Sequence, residues 1–187
     1  DVLRFDYHGT GDSPGDEDHQ SIDEWVEDTL AAHEQLDPGT GVPVNWFGMG
    51  LGAALALRSA LRVHALPAHL VLWEPVLDGR AYLQTLLHAH RAELVREFAM
   101  PWQRLIDSGK VTEPTVPGDV LGFDIGQRLA DDLQRLDNVS LEPALRRGIR
   151  VTCAVHAEQR PLFSGLSENP ALKMHTVESR TNWMLSQ

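Results

Sequence analysis

Between Val42 and Leu61 the chain reads VPVNWFGMGLGAALALRSAL: a strand-like run, glycines at 48, 50 and 52, and an apolar helix-like run. A strand that turns this sharply into a helix displays the residue at its tip, and a hydroxyl or thiol there could attack an acyl carbon. The tip residue is Gly50, which has no side chain with which to attack. Backbone chemistry remains: the N–H of Leu51, at the helix start, can bind an anion or a carbonyl oxygen. Gly48, Met49, Gly50, Leu51 and Gly52 are therefore expected to form a binding turn, and covalent catalysis at Gly50 is excluded.

Two histidines stand where strand patterns end, His8 and His156. Histidine changes charge near neutral pH and could hold a water for attack. Their plain readings are a loop residue and a hydrogen-bonded strand terminus. His88 and His90 are two apart on a helical pattern, point to nearly opposite sides and cannot jointly grip a metal. Asp12, Asp16 and Asp18 do not make a calcium loop, because Pro14 and Glu17 occupy positions that need an oxygen ligand and a glycine. No metal and no cofactor is expected. Cys153, in mid-strand, reads as core, and Trp25, Trp46, Trp73, Trp102 and Trp183 read mainly as packing. Trp102, after Met100-Pro101, is the best placed of these for contact with an apolar ligand.

The elements that must position these residues are legible from periodicity. DVLRFDY, Asp1 to Tyr7, alternates as a strand, and HGTGDSPGD follows as a loop. In SIDEWVEDTLAAHEQL, Ser21 and Glu24 make a capping-box pattern, and Ile22, Trp25, Val26, Thr29, Leu30 and His33 share one helical face. Val42 to Phe47 reads as a second strand and Leu51 to Arg62 as a buried helix. HLVLWEPV is a third strand, continuous in the manner of a parallel strand covered on both sides; IRVTCAV and LKMHTV are a fourth and a fifth. Between the third and fourth lies a mostly helical stretch, with Arg80 to Phe98 and Ile125 to Leu136 separated by the loop TEPTVPGD. Alternation of this kind defines a parallel α/β sheet with right-handed crossovers, and no linker suggests a domain boundary.

At 187 residues the chain can bury a core of its own. A net charge of −11 argues against nucleic acid or an anionic membrane surface as partner. No apolar run approaches the roughly 18 residues that span a bilayer. One cysteine permits no intrachain disulfide and fits a reducing cytoplasm. The chain opens almost directly in a strand pattern without methionine, so upstream residues are expected.

Two stretches together resemble α/β-hydrolases: FDYHGTGDSPG is similar to the strand and loop after that fold's fourth strand, and WFGMGLGAALAL to its nucleophile elbow. LVLWEPVLDGRAYLQTLL and GDVLGFDIGQRLADDLQRL further resemble the exosortase-associated group, beside the serine aminopeptidase-like hydrolases. The resemblance implies one α/β-hydrolase domain over residues 1–187, with a mostly parallel sheet, flanking helices, a helical lid at about 79–148, and first strands upstream of Asp1. It also implies a serine at the elbow, an acid after the penultimate strand and a histidine after the last.

This sequence departs from that pattern at every role. The elbow holds Gly50. In VHAEQRP the acid position holds Arg160, with Glu158 two residues away; Glu74, ending the third strand, is another position from which an acid reaches the site in some members. The loop ESRTNWML holds no histidine, with Asn182 near the expected place, and His175 lies within a strand pattern. The expected function is therefore a non-catalytic homologue that binds a small molecule or acyl group. The rival is a hydrolase of an ester, amide or thioester that uses an activated water held by His8, His156 or Glu158.

Overall fold

The computed structural model describes residues 2–16, 19–36, 41–113, 115–116, 118–137 and 139–178. In chain order the elements are α1 (Ile22–Leu36), β1 (Asn45–Met49), α2 (Leu51–Arg62), β2 (His69–Trp73), α3 (Gly79–Phe98), α4 (Trp102–Asp107), β3 (Gly118–Val120), β4 (Phe123–Ile125), α5 (Gln127–Arg135), α6 (Glu142–Arg146), β5 (Arg150–His156), a 3₁₀ helix (Ala157–Leu166) and β6 (Leu172–Val177). They divide into two compact units. One holds Ile22–Leu77 and the elements from α6 to β6; the other holds His8–Ser21 and Asp78–Asp137.

The first unit is built on a four-stranded sheet in the order β1-β2-β5-β6, every pair parallel. The register pairs Gly48 with Leu72 and Leu72 with Cys153, then Cys153 with Met174. Since side chains alternate along a strand, Gly48, Leu72, Cys153 and Met174 share one face. That face carries the core, in which Leu70, Leu72, Val151, Cys153 and Val155 pack with Ala53, Ala56, Leu57 and Ala60 of α2 and with Leu141, Ala144 and Leu145 around α6. Small residues on α2 let the helix lie close to the sheet, and α6 is tied to its end by Arg147, whose guanidinium donates to the carbonyls of Ala60 and Val63. Burial pushes the Cys153 thiol up to about 12, which makes it an inert core group.

The opposite face is different from expectation. β2 alternates between buried and half-buried residues, where continuous burial was expected, and Phe47 and Met49 of β1 are exposed. Continuous hydrophobicity in the sequence had implied cover on both sides; a run of apolar residues reports composition, and only packing reports cover. The expected strand at Asp1 to Tyr7 is also absent, since residues 2–7 form no ladder. Alternation supplies strand propensity, but a strand exists only when its amides find a partner, and β1 stands at the sheet edge.

Helix α1 presents the predicted face, with Ile22, Trp25, Val26 and His33 buried. His33 has a distinct role. Its Nε2 donates to the carbonyl of Ala65 at 2.8 Å, and its Nδ1 accepts the indole N–H of Trp46 at 3.1 Å, with the two rings edge to face. Because a donor points at Nδ1, the ring is neutral with its proton on Nε2. One buried imidazole thus joins α1 to β1 and to the segment before β2.

In the second unit, α3 starts on Asp78, whose carboxylate accepts the N–H of Ala81 at 2.9 Å, an N-cap. Leu83, Leu105, Val120, Ile125, Leu129, Ala130 and Leu133 are buried. Between α3 and α5, where only the loop TEPTVPGD was expected, the chain also forms α4 and the antiparallel hairpin β3–β4, whose first strand takes up the last two residues of that loop. Its turn, Leu121-Gly122, has φ of 58° and 81°, as a two-residue hairpin turn requires. Leucine is a poor residue for that backbone, so the hairpin is hard to read; His90, accepting the Leu121 N–H at 3.1 Å, helps to hold it.

Replacing His33 by alanine should remove both buried contacts and leave the Trp46 N–H unpaired. A loss of about 2–4 kcal/mol in urea-induced unfolding is expected, with His33→Gln losing less. A variant as stable as the wild type would show that the bridge contributes nothing.

Candidate functional site

The site is assembled at the carboxyl ends of the parallel strands, where open α/β sheets bind ligands. Strand β1 ends at Met49, Gly50 turns the chain at φ 56° and ψ −121°, and α2 begins at Leu51. A positive φ of this kind costs an L-residue energy that glycine avoids. The turn is held from both sides by the segment that follows β2: the Gly50 N–H donates to the Trp73 carbonyl at 2.9 Å, and the Val76 N–H donates to the Gly50 carbonyl at 3.0 Å. Glu74 lies between those two anchors.

The neighbouring glycines differ in what they require. A Cβ at Gly48 would lie 2.6 Å from the Gly52 carbonyl oxygen and 2.7 Å from the Ala53 Cα, so only glycine fits where β1 passes beneath α2. At Gly52 a Cβ would meet nothing nearer than the Tyr7 hydroxyl at 4.0 Å, an ordinary contact. Steric demand for glycine is therefore present at Gly48 and absent at Gly52. Tyr7, which sequence reasoning assigned to a strand, thereby stands beside the start of α2. Its ring packs against Trp25 with centroids 5.5 Å apart. Burial raises the Tyr7 phenol above its ordinary value, opposed by a hydrogen bond with Thr29.

Glu74 and His156, each singled out separately in the sequence, are brought together. His156 Nε2 lies 3.2 Å from Glu74 Oε1, with both side chains largely shielded, at 20% and 13% exposure. Neighbouring backbone fixes both ends of this contact. The Glu74 N–H donates to the Ala154 carbonyl at 2.8 Å, docking the residue on β5 just ahead of His156. His156 caps the following 3₁₀ helix in a capping box with Gln159: the Gln159 side-chain oxygen accepts the His156 N–H at 3.3 Å, and the imidazole accepts the Gln159 backbone N–H. With one ring nitrogen accepting, Nε2 carries the proton of the neutral ring and donates it to Glu74. Glu74 itself sits at φ 45°, in the left-handed region, where a glutamate is strained.

The other sequence candidates fall elsewhere. Glu158 lies exposed on the 3₁₀ helix. Arg160, at the position where an acid was sought, donates to the Thr176 hydroxyl of β6 at 2.9 Å. His175 is an exposed residue of β6. Asn182 and Trp183 lie outside the described residues. His8 belongs to the other unit, where its ring covers Gly15; a Cβ there would fall 2.4 Å from His8 Nε2. Trp102, in that unit too, donates its indole N–H to Glu113 at 3.2 Å and lies under the Arg91 guanidinium, 5.3 Å from the ring centroid. Arg91 also pairs with Glu113, so the indole is engaged within its own unit. Among the described residues no group of three or more histidine, cysteine or acidic side chains is placed to hold a metal. None of the described helices is long and apolar enough to cross a membrane.

A mostly parallel sheet with flanking helices, a glycine-pinched turn from strand to helix, and a helical insertion after β2 define an α/β-hydrolase fold. Comparison with known proteins agrees, and the chain belongs to the family described as serine aminopeptidase, S33, whose model matches residues 1–156. Solved structures similar to it include a carboxylesterase of the thaumarchaeon Nitrososphaera gargenis (13% identity, TM-score 0.53, covering 88% of this chain and 66% of that one). An α/β hydrolase from Sphaerobacter thermophilus shares 18% identity at a TM-score of 0.52, over 95% of this chain and 74% of its own. A monoacylglycerol lipase of Paleococcus ferrophilus shares 17% at 0.52, over 92% and 71%. The chain spans just under two thirds of the first of these. At such identities the likeness is one of fold. No curated protein matches the chain.

The steric difference between the two glycines is testable. Gly48→Ala should destabilise the protein by about 1–3 kcal/mol through overpacking, whereas Gly52→Ala should be neutral or slightly stabilising, since alanine favours helix. Thermal unfolding of both variants decides it, and equal losses would contradict this geometry.

Proposed function

We propose that this chain binds an acyl-bearing small molecule at the carboxyl ends of β1, β2 and β5 and forms no covalent acyl-enzyme at the turn. The observation that carries the reading is Gly50: the turn has the strand-to-helix geometry that displays a nucleophile, and the residue displayed has no side chain. The start of α2, at Leu51, supports recognition of a carbonyl or carboxylate oxygen, since helix starts offer unpaired N–H groups. In this reading residues 79–148 act as a lid within a single α/β-hydrolase domain, and the protein works in the cytoplasm, consistent with one buried thiol.

A second reading, hydrolysis of an ester, amide or thioester by water without a covalent intermediate, is favoured by one observation, the contact of His156 with Glu74. Both readings predict that a fluorophosphonate probe, which labels activated serines, leaves the native protein unlabelled. They also predict saturable binding of N-(4-nitrophenyl)butanamide, a slowly hydrolysed acyl compound, in isothermal titration. Covalent labelling would overturn the absence of a working nucleophile; failure to bind this amide and its thioester and ester counterparts would overturn acyl recognition itself.

A further inference from the structure

The geometry points to Glu74 as the proton acceptor of a serine-free hydrolytic site, oriented by His156, with a carboxylic ester as substrate class. This inference rests on the second reading above. Three independent features lead to it. The turn at Gly50 is hydrogen-bonded to Trp73 on one side of Glu74 and to Val76 on the other, so the carboxylate-bearing residue is set against the turn by backbone alone. His156 then directs the carboxylate from β5, 3.2 Å away and shielded from bulk water. Finally, Glu74 occupies a left-handed backbone at φ 45°, where glycine would be unstrained, and strain of this sort concentrates at functional positions.

The hydrogen bonds also decide which group takes the proton. One nitrogen of His156 accepts the Gln159 N–H and the other faces Glu74, so the neutral ring is already committed at both. An ionised carboxylate is an acceptor at both oxygens, whereas the neutral imidazole has a single acceptor nitrogen and the Gln159 N–H already fills it. In the step inferred, a water oxygen bonds to the ester carbonyl carbon while the carbonyl π pair moves to its oxygen, and the water proton passes to Glu74. The tetrahedral adduct then reforms the carbonyl and breaks the bond to the alcohol oxygen, which takes the proton back from Glu74. The products are a carboxylic acid and an alcohol, and Glu74 returns as carboxylate. His156 is a positioning residue.

The test uses the full chain with 4-nitrophenyl butanoate. Wild type should turn over without a burst. Glu74→Gln should lower kcat by about 10²–10⁴-fold, the range of a general base, with KM unchanged. Glu74→Gly, which suits the backbone at this position, should be folded and inactive, and added formate should restore turnover by supplying the missing carboxylate. His156→Gln should lower kcat at constant KM. The inference is overturned if wild type shows no turnover, if Glu74→Gln retains full rate, or if folded Glu74→Gly is not rescued by formate. Binding of N-(4-nitrophenyl)butanamide separates the two claims: binding without turnover of the ester defeats this inference alone, and failure to bind the amide, the ester and the thioester alike defeats the acyl-recognition reading as well.

Discussion

The pairing of β2 with both β1 and β5 is the constraint on which the rest of the first unit depends. Parallel neighbours end at the same edge, so three chain segments remote in sequence deliver their termini to one place. Gly50 closes β1, Glu74 follows β2, and His156 closes β5. Two backbone hydrogen bonds at Gly50 and one at Glu74 then lock these ends together at the level of main chain, before any side chain takes part. The core beneath the sheet, from Leu70 and Leu72 to Val151 and Val155, keeps the strands in that register by burying one face against α2.

Function in this fold is separable from fold, and this chain shows where the separation falls. Gly48 answers a packing demand, because a Cβ there would enter the backbone of α2. Gly50 answers a conformational one, at φ 56°. Both demands persist whether or not a nucleophile stands at the tip. What differs is the chemistry around the turn: a histidine and a carboxylate meet there, with the histidine's second nitrogen spent on the 3₁₀ helix. Such a pair orients a carboxylate. The imidazole is not poised to take a proton from a neighbouring hydroxyl, because in the neutral ring neither nitrogen is spare.

The two units also use histidine in a common way. His33 joins three segments of the first unit through Trp46 and Ala65. His90 accepts the Leu121 N–H, holding the tight hairpin turn to α3 in the second unit. Each ring satisfies backbone or indole groups that would otherwise be costly to bury. His156 differs from these two because its partner is a carboxylate.

Much of the architecture was present in one dimension. The amphipathic run of α1, the apolar α2 and the alternating strand–helix order each follow from local patterning, since side-chain period and glycine placement are properties of the chain itself. That Gly50, a residue without a side chain, stands at the turn needed no structure at all. Tertiary structure decided the remainder. Propensity drew a strand over residues 2–7, where no strand forms, and the hairpin β3–β4 escaped notice because Leu121-Gly122 lacks the usual turn signature. Above all, Glu74 and His156 could be named separately from the sequence but not joined, because their meeting depends on β2 lying beside β5. Strand order is set by the packing of the whole sheet, and no local signal in either segment records it.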